Sequence, residues 1–219
     1  MDDMNSFSAH YGHWGLVVVL VVVVSWILYR YAAPHSWREW TGAGLVQAFV
    51  IALYAEMYGF PLTIYLLTGF LGIDIPLSEY SGHLWVTLLG YGPLGAIVEM
   101  MLGGIFILLG IILLIWGWTT VYRASREGSL AQNGPYELIR HPQYTGIMLA
   151  VFGQVVHWPT LITVALFPLI VLVYVRLAWK EEQDLVRRFG AAYEAYRKDV
   201  PMFLPGVRQW KQLFSTLAD

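Results

Sequence analysis

The feature that most constrains this chain is a set of long apolar runs with almost no charged residues. One runs from Trp14 through a block of valines to Tyr31, and another holds 23 uncharged residues from Met100 to Tyr122. A helix rises about 1.5 Å per residue, so roughly 20 apolar residues cross the hydrocarbon core of a bilayer. Only helices and closed barrels satisfy their backbone in lipid, and these runs lack the alternation of a barrel strand. The sequence therefore predicts an all-α protein, a polytopic bundle of membrane helices.

Apolar segments along the chain predict about five transmembrane helices. They are Trp14 to Tyr31, Leu45 to Leu71, Gly95 to Tyr122, Tyr144 to Val156 and Leu161 to Val175. The last two are 13 and 15 residues long. We expect them to form a tight hairpin that is shortened, tilted or sheltered by the longer helices. An outer loop with a short helix is expected from Gly72 to Gly95, and an amphipathic interfacial helix near the C-terminus.

Basic residues are distributed unevenly, and this distribution predicts the topology. Arg30 and Arg38 lie between the first two spans, no Lys or Arg occurs from Glu39 to Tyr122, and the other eleven follow from Arg123 onward. Loops rich in Lys and Arg stay in the cytoplasm, so we expect the N-terminus outside and the C-terminal half inside. No Lys or Arg precedes Arg30, so the first apolar segment lacks the positively charged start that is typical of a signal peptide. We therefore expect this segment to stay in the protein as its first span.

Composition excludes several function classes. Hydrophobic residues make up 58% of the chain and charged residues 13%, a balance that argues against a soluble globular enzyme. A formal net charge of −2 offers no basic surface for nucleic acid. The chain has no cysteine, and its six histidines lack metal-site spacing. We therefore expect no metal, and nothing in the sequence indicates an obligate protein partner.

Polar residues are concentrated after Tyr122, first in the segment from Asn133 to Gly146. Pro142 keeps His141 out of helical geometry and starts the next helix. Arg140, His141 and Tyr144 are then presented at the mouth of the hairpin, where Arg140 and free backbone N–H groups can receive a carboxylate. Taken alone, the segment also suits an interfacial turn with a snorkelling arginine.

A second polar segment follows the hairpin. Glu181 and Glu182 are about 100° apart on a helix, so one is expected to face inward while the other meets an arginine or solvent. Four apolar or aromatic residues recur at steps of four, four and three and predict one helical face: Leu185, Phe189, Tyr193 and Tyr196. Each feature alone is typical of packing or of a solvated face.

Together, these pieces resemble a known family. Arg-His-Pro-x-Tyr-x-Gly, an apolar hairpin, Glu-Glu, Phe-Gly-x-x-Tyr-x-x-Tyr and Val-Pro-x-x-Leu-Pro occur in this order between about Leu130 and Gly206. This order resembles the isoprenylcysteine carboxyl methyltransferase and phospholipid methyltransferase superfamily of integral membrane enzymes. The resemblance implies an S-adenosylmethionine site lined by His141, Tyr144, Gly146, Glu181 and Glu182, and a catalytic pair formed by Arg140 and Glu182.

The resemblance also implies a domain division and a function. Residues 1–122 would form an N-terminal membrane part without a matched motif, and residues 123–219 a methyltransferase core on the cytoplasmic side. The expected activity is S-adenosylmethionine-dependent methyl transfer to a lipophilic or membrane-associated acceptor, such as an isoprenylcysteine carboxylate or a lipid amine. A small thiol also remains open, and the alternative is a non-enzymatic ligand-binding or transport-associated membrane protein.

Glu56 and Glu99 stand inside predicted spans. An ionisable group in a span is costly, by roughly 2.5 to 3.5 kcal/mol on insertion scales, and usually faces the bundle interior. Both are therefore candidate residues of the acceptor site. The alternative places both near the outer interface, where they cap a helix or pair with a tyrosine or His83.

Overall fold

The computed structural model describes residues 9–31, 37–75 and 82–209. These ranges contain helices and no strand, which confirms the all-α prediction. The elements are α1 (Trp14–Tyr31), α2 (Trp37–Tyr54), a π-helical segment (Ala55–Gly59), α3 (Leu62–Gly69), α4 (Leu84–Leu89), α5 (Gly92–Glu127), α6 (Pro135–Leu138), α7 (Pro142–His157), α8 (Leu161–Phe189) and α9 (Ala191–Asp199).

Three stretches of helix in the described ranges are long and apolar enough to cross a membrane. They are Trp40–Gly59, Gly92–Glu127 and Leu161–Phe189, and α1 is a shorter apolar helix. Helix α7 has 16 residues, which at about 1.5 Å per residue falls short of a roughly 30 Å core. The described residues thus form helices, three of them candidate membrane spans by length and composition, while the polytopic bundle, the count of five spans and their orientation stay predictions.

The chain divides into two compact units. Unit one comprises Met1–Leu108 and Ala150–Leu172, and unit two comprises Leu109–Leu149 and Val173–Asp219. Helices α5, α7 and α8 each contribute residues to both units. The predicted division after residue 122 falls inside α5, which continues through it without a break; that division stays a prediction.

The second apolar segment is broken, although the sequence suggested one stretch from Leu45 to Leu71. Helix α2 leads into the π-helical segment, which ends at Gly59, and Phe60 is extended with φ −134° and ψ 121°. Pro61 causes this break, because its ring disfavours helical geometry at Phe60 and it has no N–H to donate. Helix α3 begins at Leu62 and has eight residues.

The hairpin is present, but its second helix is longer than predicted. Thr160 precedes α8, and its hydroxyl accepts the N–H of Thr163 at 3.1 Å, a typical N-cap. The helix does not stop near Val175; it continues for 29 residues to Phe189. Charged residues are good helix formers, so the loss of hydropathy after Val175 changes the surface of the helix and not its backbone.

Helices α5 and α7 approach through glycines. In unit one, a Cβ on Gly153 would lie 2.7 Å from the carbonyl oxygen of Gly103. In unit two, a Cβ on Gly146 would lie 2.7 Å from the carbonyl oxygen of Gly110. Gly103 and Gly110, like Gly146 and Gly153, are seven residues apart and so share a helix face. This spacing was a signal for close helix packing in membranes that our sequence analysis missed.

Candidate functional site

The Arg-His turn lies in unit two, between α6 and α7. The backbone N–H of Gly134 donates to the Glu137 carboxylate at 3.0 Å, which caps the short helix α6. Pro142 begins α7 as predicted, and the preceding His141 is not helical. This local arrangement presents Arg140 and His141 at the start of α7.

Both side chains meet the Glu pair of α8. Arg140 Nε lies 2.8 Å from Glu182 Oε1. The His141 ring lies between the two carboxylates, with Nε2 3.2 Å from Glu182 Oε1 and Nδ1 3.3 Å from Glu181 Oε2. We call Arg140, His141, Glu181 and Glu182 the Arg-His-Glu cluster. The cluster joins two segments that are about 40 residues apart in the sequence.

The two glutamates differ in exposure. The side chain of Glu182 is 10% exposed and that of Glu181 is 43% exposed, so only one faces inward, as predicted. The sequence predicts that the outward glutamate meets an arginine or solvent. The inward Glu182 pairs with Arg140 instead, and both carboxylates contact His141.

Arg140 retains hydrogen-bonding capacity inside the cluster. Its Nη1 donates to the carbonyl oxygen of Arg197 at 2.7 Å. Its Nε–H does not point at Glu182, so their contact is a charge pair and not an aligned hydrogen bond, and the buried Nε has no other partner among the described residues. A buried donor without an aligned acceptor is costly and favours a further ligand.

His141 is almost fully buried, and its surroundings favour the charged ring. Burial by itself lowers the pKa of His141, because it disfavours the imidazolium. The hydrogen bonds and negative charges of Glu181 and Glu182 outweigh burial, so the pKa lies above the usual value for histidine. His141 therefore holds its proton to higher pH than an exposed histidine.

This shift predicts a pH dependence of stability. Because the pKa of His141 is raised in the folded protein, its stabilisation is complete below the unfolded value of about 6.5 and is lost as pH rises through the folded pKa. We expect the melting temperature of the purified protein to fall as pH rises above about 6.5. Thermal unfolding from pH 5.5 to 9 checks this, and a His141→Gln variant with the same slope as wild type would contradict it.

Aromatic rings lie beside the cluster. The ring of Tyr144 stacks on His141 with centroids 5.6 Å apart and planes at 4°. Tyr174 of α8 lies 5.2 Å from Tyr144, and Phe203 lies 5.9 Å from His141. Tyr144 is thus brought to the cluster as the sequence predicted. Gly146 instead lies against the backbone of α5; its contact with a cofactor stays a prediction.

The C-terminal segment clamps the Arg-His turn. The backbone N–H groups of Arg140 and His141 donate to the carbonyl oxygens of Pro201 and Met202, at 2.9 and 3.2 Å. These acceptors are backbone atoms, which any residue carries, so the sequence pattern gave no signal for them. We call residues 197–203 the C-terminal clamp.

The predicted face from Leu185 to Tyr196 is wrong as a single helical face. Gly190, with φ +53°, separates α8 from α9, a left-handed geometry that glycine adopts without strain. Tyr193 and Tyr196 lie on α9 and are buried. The Tyr196 hydroxyl donates to the carbonyl oxygen of Tyr136 at 2.7 Å, which fixes α9 to α6.

Glu56 and Glu99 lie in unit one. Glu56 Oε2 accepts the backbone N–H of Thr63 at 2.8 Å. Glu99 Oε2 accepts the N–H of Val86 at 3.3 Å, and its Oε1 lies 3.5 Å from Nδ1 of His83. These contacts match the alternative of capping and of pairing with His83. A role in acceptor binding stays a prediction for both residues.

The Arg-His-Glu cluster lies in a part of the chain that is similar to a known protein family. The family model described as phospholipid methyltransferase matches residues 95–192. This range contains α7, α8, nearly all of α5 and every member of the Arg-His-Glu cluster. No solved structure matches the chain significantly.

Curated relatives each match about a third of the chain. Methanethiol S-methyltransferase 2 of Bradyrhizobium diazoefficiens is 39% identical over 74 residues, covering 32% of this chain and 26% of the relative. Methanethiol S-methyltransferase of Pseudomonas deceptionensis is 36% identical over 87 residues, 38% of this chain and 31% of the relative. Protein-S-isoprenylcysteine O-methyltransferase of Schizosaccharomyces pombe is 31% identical over 91 residues, 38% of this chain and 36% of the relative.

The chain thus spans between about a quarter and a little over a third of the length of these relatives. The range matched by the family model nevertheless contains the Arg-His-Pro motif, the Glu pair, the apolar helix Leu161–Phe189, most of Gly92–Glu127 and the Arg-His-Glu cluster. Through residues 95–192 the chain is similar to the phospholipid methyltransferase family, and over shorter stretches it is similar to proteins named methanethiol S-methyltransferase and protein-S-isoprenylcysteine O-methyltransferase.

Proposed function

We propose that the protein is a membrane methyltransferase that uses S-adenosylmethionine as its methyl donor. The observation that carries this proposal is the Arg-His-Glu cluster, which lies wholly inside the range that matches the family model. The cofactor site is proposed to lie at this cluster in unit two, on the cytoplasmic side.

The donor set of the cluster suits this cofactor. S-adenosylmethionine carries a sulfonium, an ammonium, a carboxylate and ribose hydroxyls. Glu181, whose side chain is 43% exposed, offers a carboxylate for the positive groups or the hydroxyls. The buried Nε of Arg140, which lacks an aligned acceptor, offers a donor for a negative group. When bound, the cofactor supplies an activated methyl group.

The chain's own residues are proposed to position and enclose the reactants. Methyl transfer from a sulfonium needs no protein nucleophile, so alignment and exclusion of water dominate. His141 holds its proton between two carboxylates. It is therefore proposed to orient Glu181 and Glu182, and it keeps its proton to higher pH than an exposed histidine.

The acceptor is proposed to be apolar or membrane-associated. Two of the relatives are named after methyl transfer to methanethiol and to protein-S-isoprenylcysteine. A chain with apolar helices of this length offers an acceptor a route through lipid. A lipid amine remains a candidate, so the activity test must include all three acceptor classes.

The rate of methyl transfer by the Arg140→Lys variant, compared with that of wild type, tests this function most directly. We expect the wild-type protein in detergent to bind S-adenosylmethionine in calorimetry and to transfer labelled methyl groups to a small thiol, a prenylcysteine or a lipid amine. In Arg140→Lys we expect at least about tenfold slower transfer, because a planar fork is replaced by a point charge.

Arg187→Lys is the matched control. Arg187 also lies on α8, but its side chain is 77% exposed and pairs with Asp184. We expect its transfer rate to equal that of wild type. Failure of the wild-type protein to bind S-adenosylmethionine, or equal rates in Arg140→Lys and Arg187→Lys, would contradict the proposal.

A further inference from the structure

A small cavity lies in unit one, and the residues that line it do not include a member of the Arg-His-Glu cluster. Its volume is about 10 Å³, which is room for one water-sized group. The side chains that carry oxygen atoms in its lining belong to Tyr11, Glu56, Thr63 and Thr160. The cavity therefore combines a carboxylate and hydroxyl groups with an otherwise apolar wall.

Glu56 is the charged residue of this lining. It is 5% exposed and lies on the π-helical segment, a type of irregularity that often marks functional sites. Its Oε2 accepts the N–H of Thr63 at 2.8 Å. Its Oε1 is buried and has no hydrogen-bond partner in the part of the chain that the structure describes. One half of a buried carboxylate is thus satisfied and the other is not.

None of the described side chains that line the cavity is basic. The parts of the sequence that form unit one contain Arg30 and Arg38 as their two Lys or Arg residues. Burying a carboxylate without a counterion is strongly unfavourable, whereas a paired and hydrogen-bonded carboxylate is tolerated. The cavity beside Oε1 is the place where a counterion can be accommodated.

We propose that this cavity binds a small monovalent cation, with the Glu56 carboxylate as its counterion. One positive charge balances one carboxylate, and ammonium or an alkali ion matches the size of a water molecule. The hydroxyl groups of the lining supply further oxygen ligands, which such cations prefer over nitrogen or sulfur. The cation is either a free inorganic ion or the primary ammonium of an amine-bearing lipid. This proposal concerns cation binding at Glu56 and does not rest on the proposed methyl transfer.

A size series on the wild-type protein tests the proposal. The purified protein is kept in detergent at constant ionic strength with tetramethylammonium chloride, which is then replaced by ammonium, methylammonium or sodium chloride. We expect at least one small cation to raise the melting temperature saturably, by about 5 to 10 °C at a hundredfold excess over its Kd. Tetramethylammonium is too large for the cavity and is expected to have no such effect.

Two carboxylate variants assign the effect to this cavity. Glu56→Gln is expected to abolish the cation-dependent rise in melting temperature. Glu99→Gln is the matched control, since Glu99 is also buried in an apolar helix but lies 3.5 Å from His83; we expect it to keep the rise. If Glu56→Gln does not fold, the wild-type size series decides, because equal effects of ammonium and tetramethylammonium overturn the proposal.

A lipid arm distinguishes the two sources of the cation. In tetramethylammonium buffer, detergent micelles receive either phosphatidylethanolamine or phosphatidylcholine. A rise in melting temperature with phosphatidylethanolamine alone, lost in Glu56→Gln, identifies the lipid ammonium as the ligand. A rise with inorganic ions alone identifies a free ion. No rise in either arm overturns the proposal.

Discussion

Replacing Glu182 with alanine is expected to lower cofactor affinity or methyl transfer by about 100-fold and to destabilise the protein by about 2 to 3 kcal/mol. The reason is that Glu182 Oε1 is the shared partner of Arg140 Nε, at 2.8 Å, and of His141 Nε2, at 3.2 Å. Its removal leaves the buried Arg140 without its carboxylate partner. It also leaves His141 with Glu181 as its remaining carboxylate partner in the cluster. At roughly 2 to 4 °C per kcal/mol, the melting temperature should fall by about 4 to 12 °C.

Asp184→Ala is the control for this prediction. Asp184 lies on the same helix, but its carboxylate is 74% exposed and pairs with Arg187 on the surface. Exposed ion pairs contribute little, so we expect a change within about 0.5 kcal/mol and unchanged cofactor binding. Equal melting temperatures and equal cofactor affinities for Glu182→Ala and Asp184→Ala would show that the cluster neither stabilises the fold nor binds the cofactor.

The second large effect is expected at the glycine contacts of α5 and α7. A Cβ on Gly146 would lie 2.7 Å from both Gly110 O and Leu114 N, and one on Gly153 would lie 2.7 Å from Gly103 O and Ile107 N. These neighbours are backbone atoms that cannot rotate away. Gly146→Ala and Gly153→Ala should each destabilise the protein by about 3 kcal/mol, the upper end for overpacking. Thermal unfolding measures the loss.

Gly104→Ala is the matched control, because a Cβ at Gly104 meets nothing within 4 Å. Alanine favours a helix interior by about 1 kcal/mol over glycine, so this variant should be as stable as wild type or more stable. The pair of glycine variants also tests the cofactor role of Gly146. If Gly146 lines the cofactor site, Gly146→Ala should lose cofactor affinity that Gly153→Ala keeps at temperatures where both are folded. Destabilisation by Gly104→Ala equal to that of the other two would contradict the packing argument.

The cluster could be predicted from the sequence because its members carry distinctive side chains in a fixed order. Arg140, His141 and the Glu pair were identified from motifs, and the structure brings them within 3.3 Å of one another in three pairs. The turn geometry followed from Pro142, whose effect on the preceding residue is local. Apolar runs likewise predicted the helices, since burial in lipid requires long uncharged stretches.

Other features could not be predicted, because they depend on backbone contacts or helix boundaries that the pattern of residue types does not indicate. The sequence gives no signal for the C-terminal clamp, which acts through backbone carbonyls. The continuation of α8 to Phe189 was missed because hydropathy ends at Val175 while helix propensity does not. The break at Gly190 divided a face that looked continuous in spacing alone.

The C-terminal clamp also sets an order of assembly for unit two. The Arg140 guanidinium is fixed by the carbonyl of Arg197, 57 residues later, and the carbonyl of Tyr136 is bound by the hydroxyl of Tyr196, 60 residues later. During synthesis, the helices that precede the clamp can therefore enter the membrane while the turn still lacks its last partners. Closing such a long loop is slow relative to helix formation. Completion of the site is thus a late folding event, and a ribosome-bound chain stalled before Arg197 should carry its helices without a formed Arg-His turn.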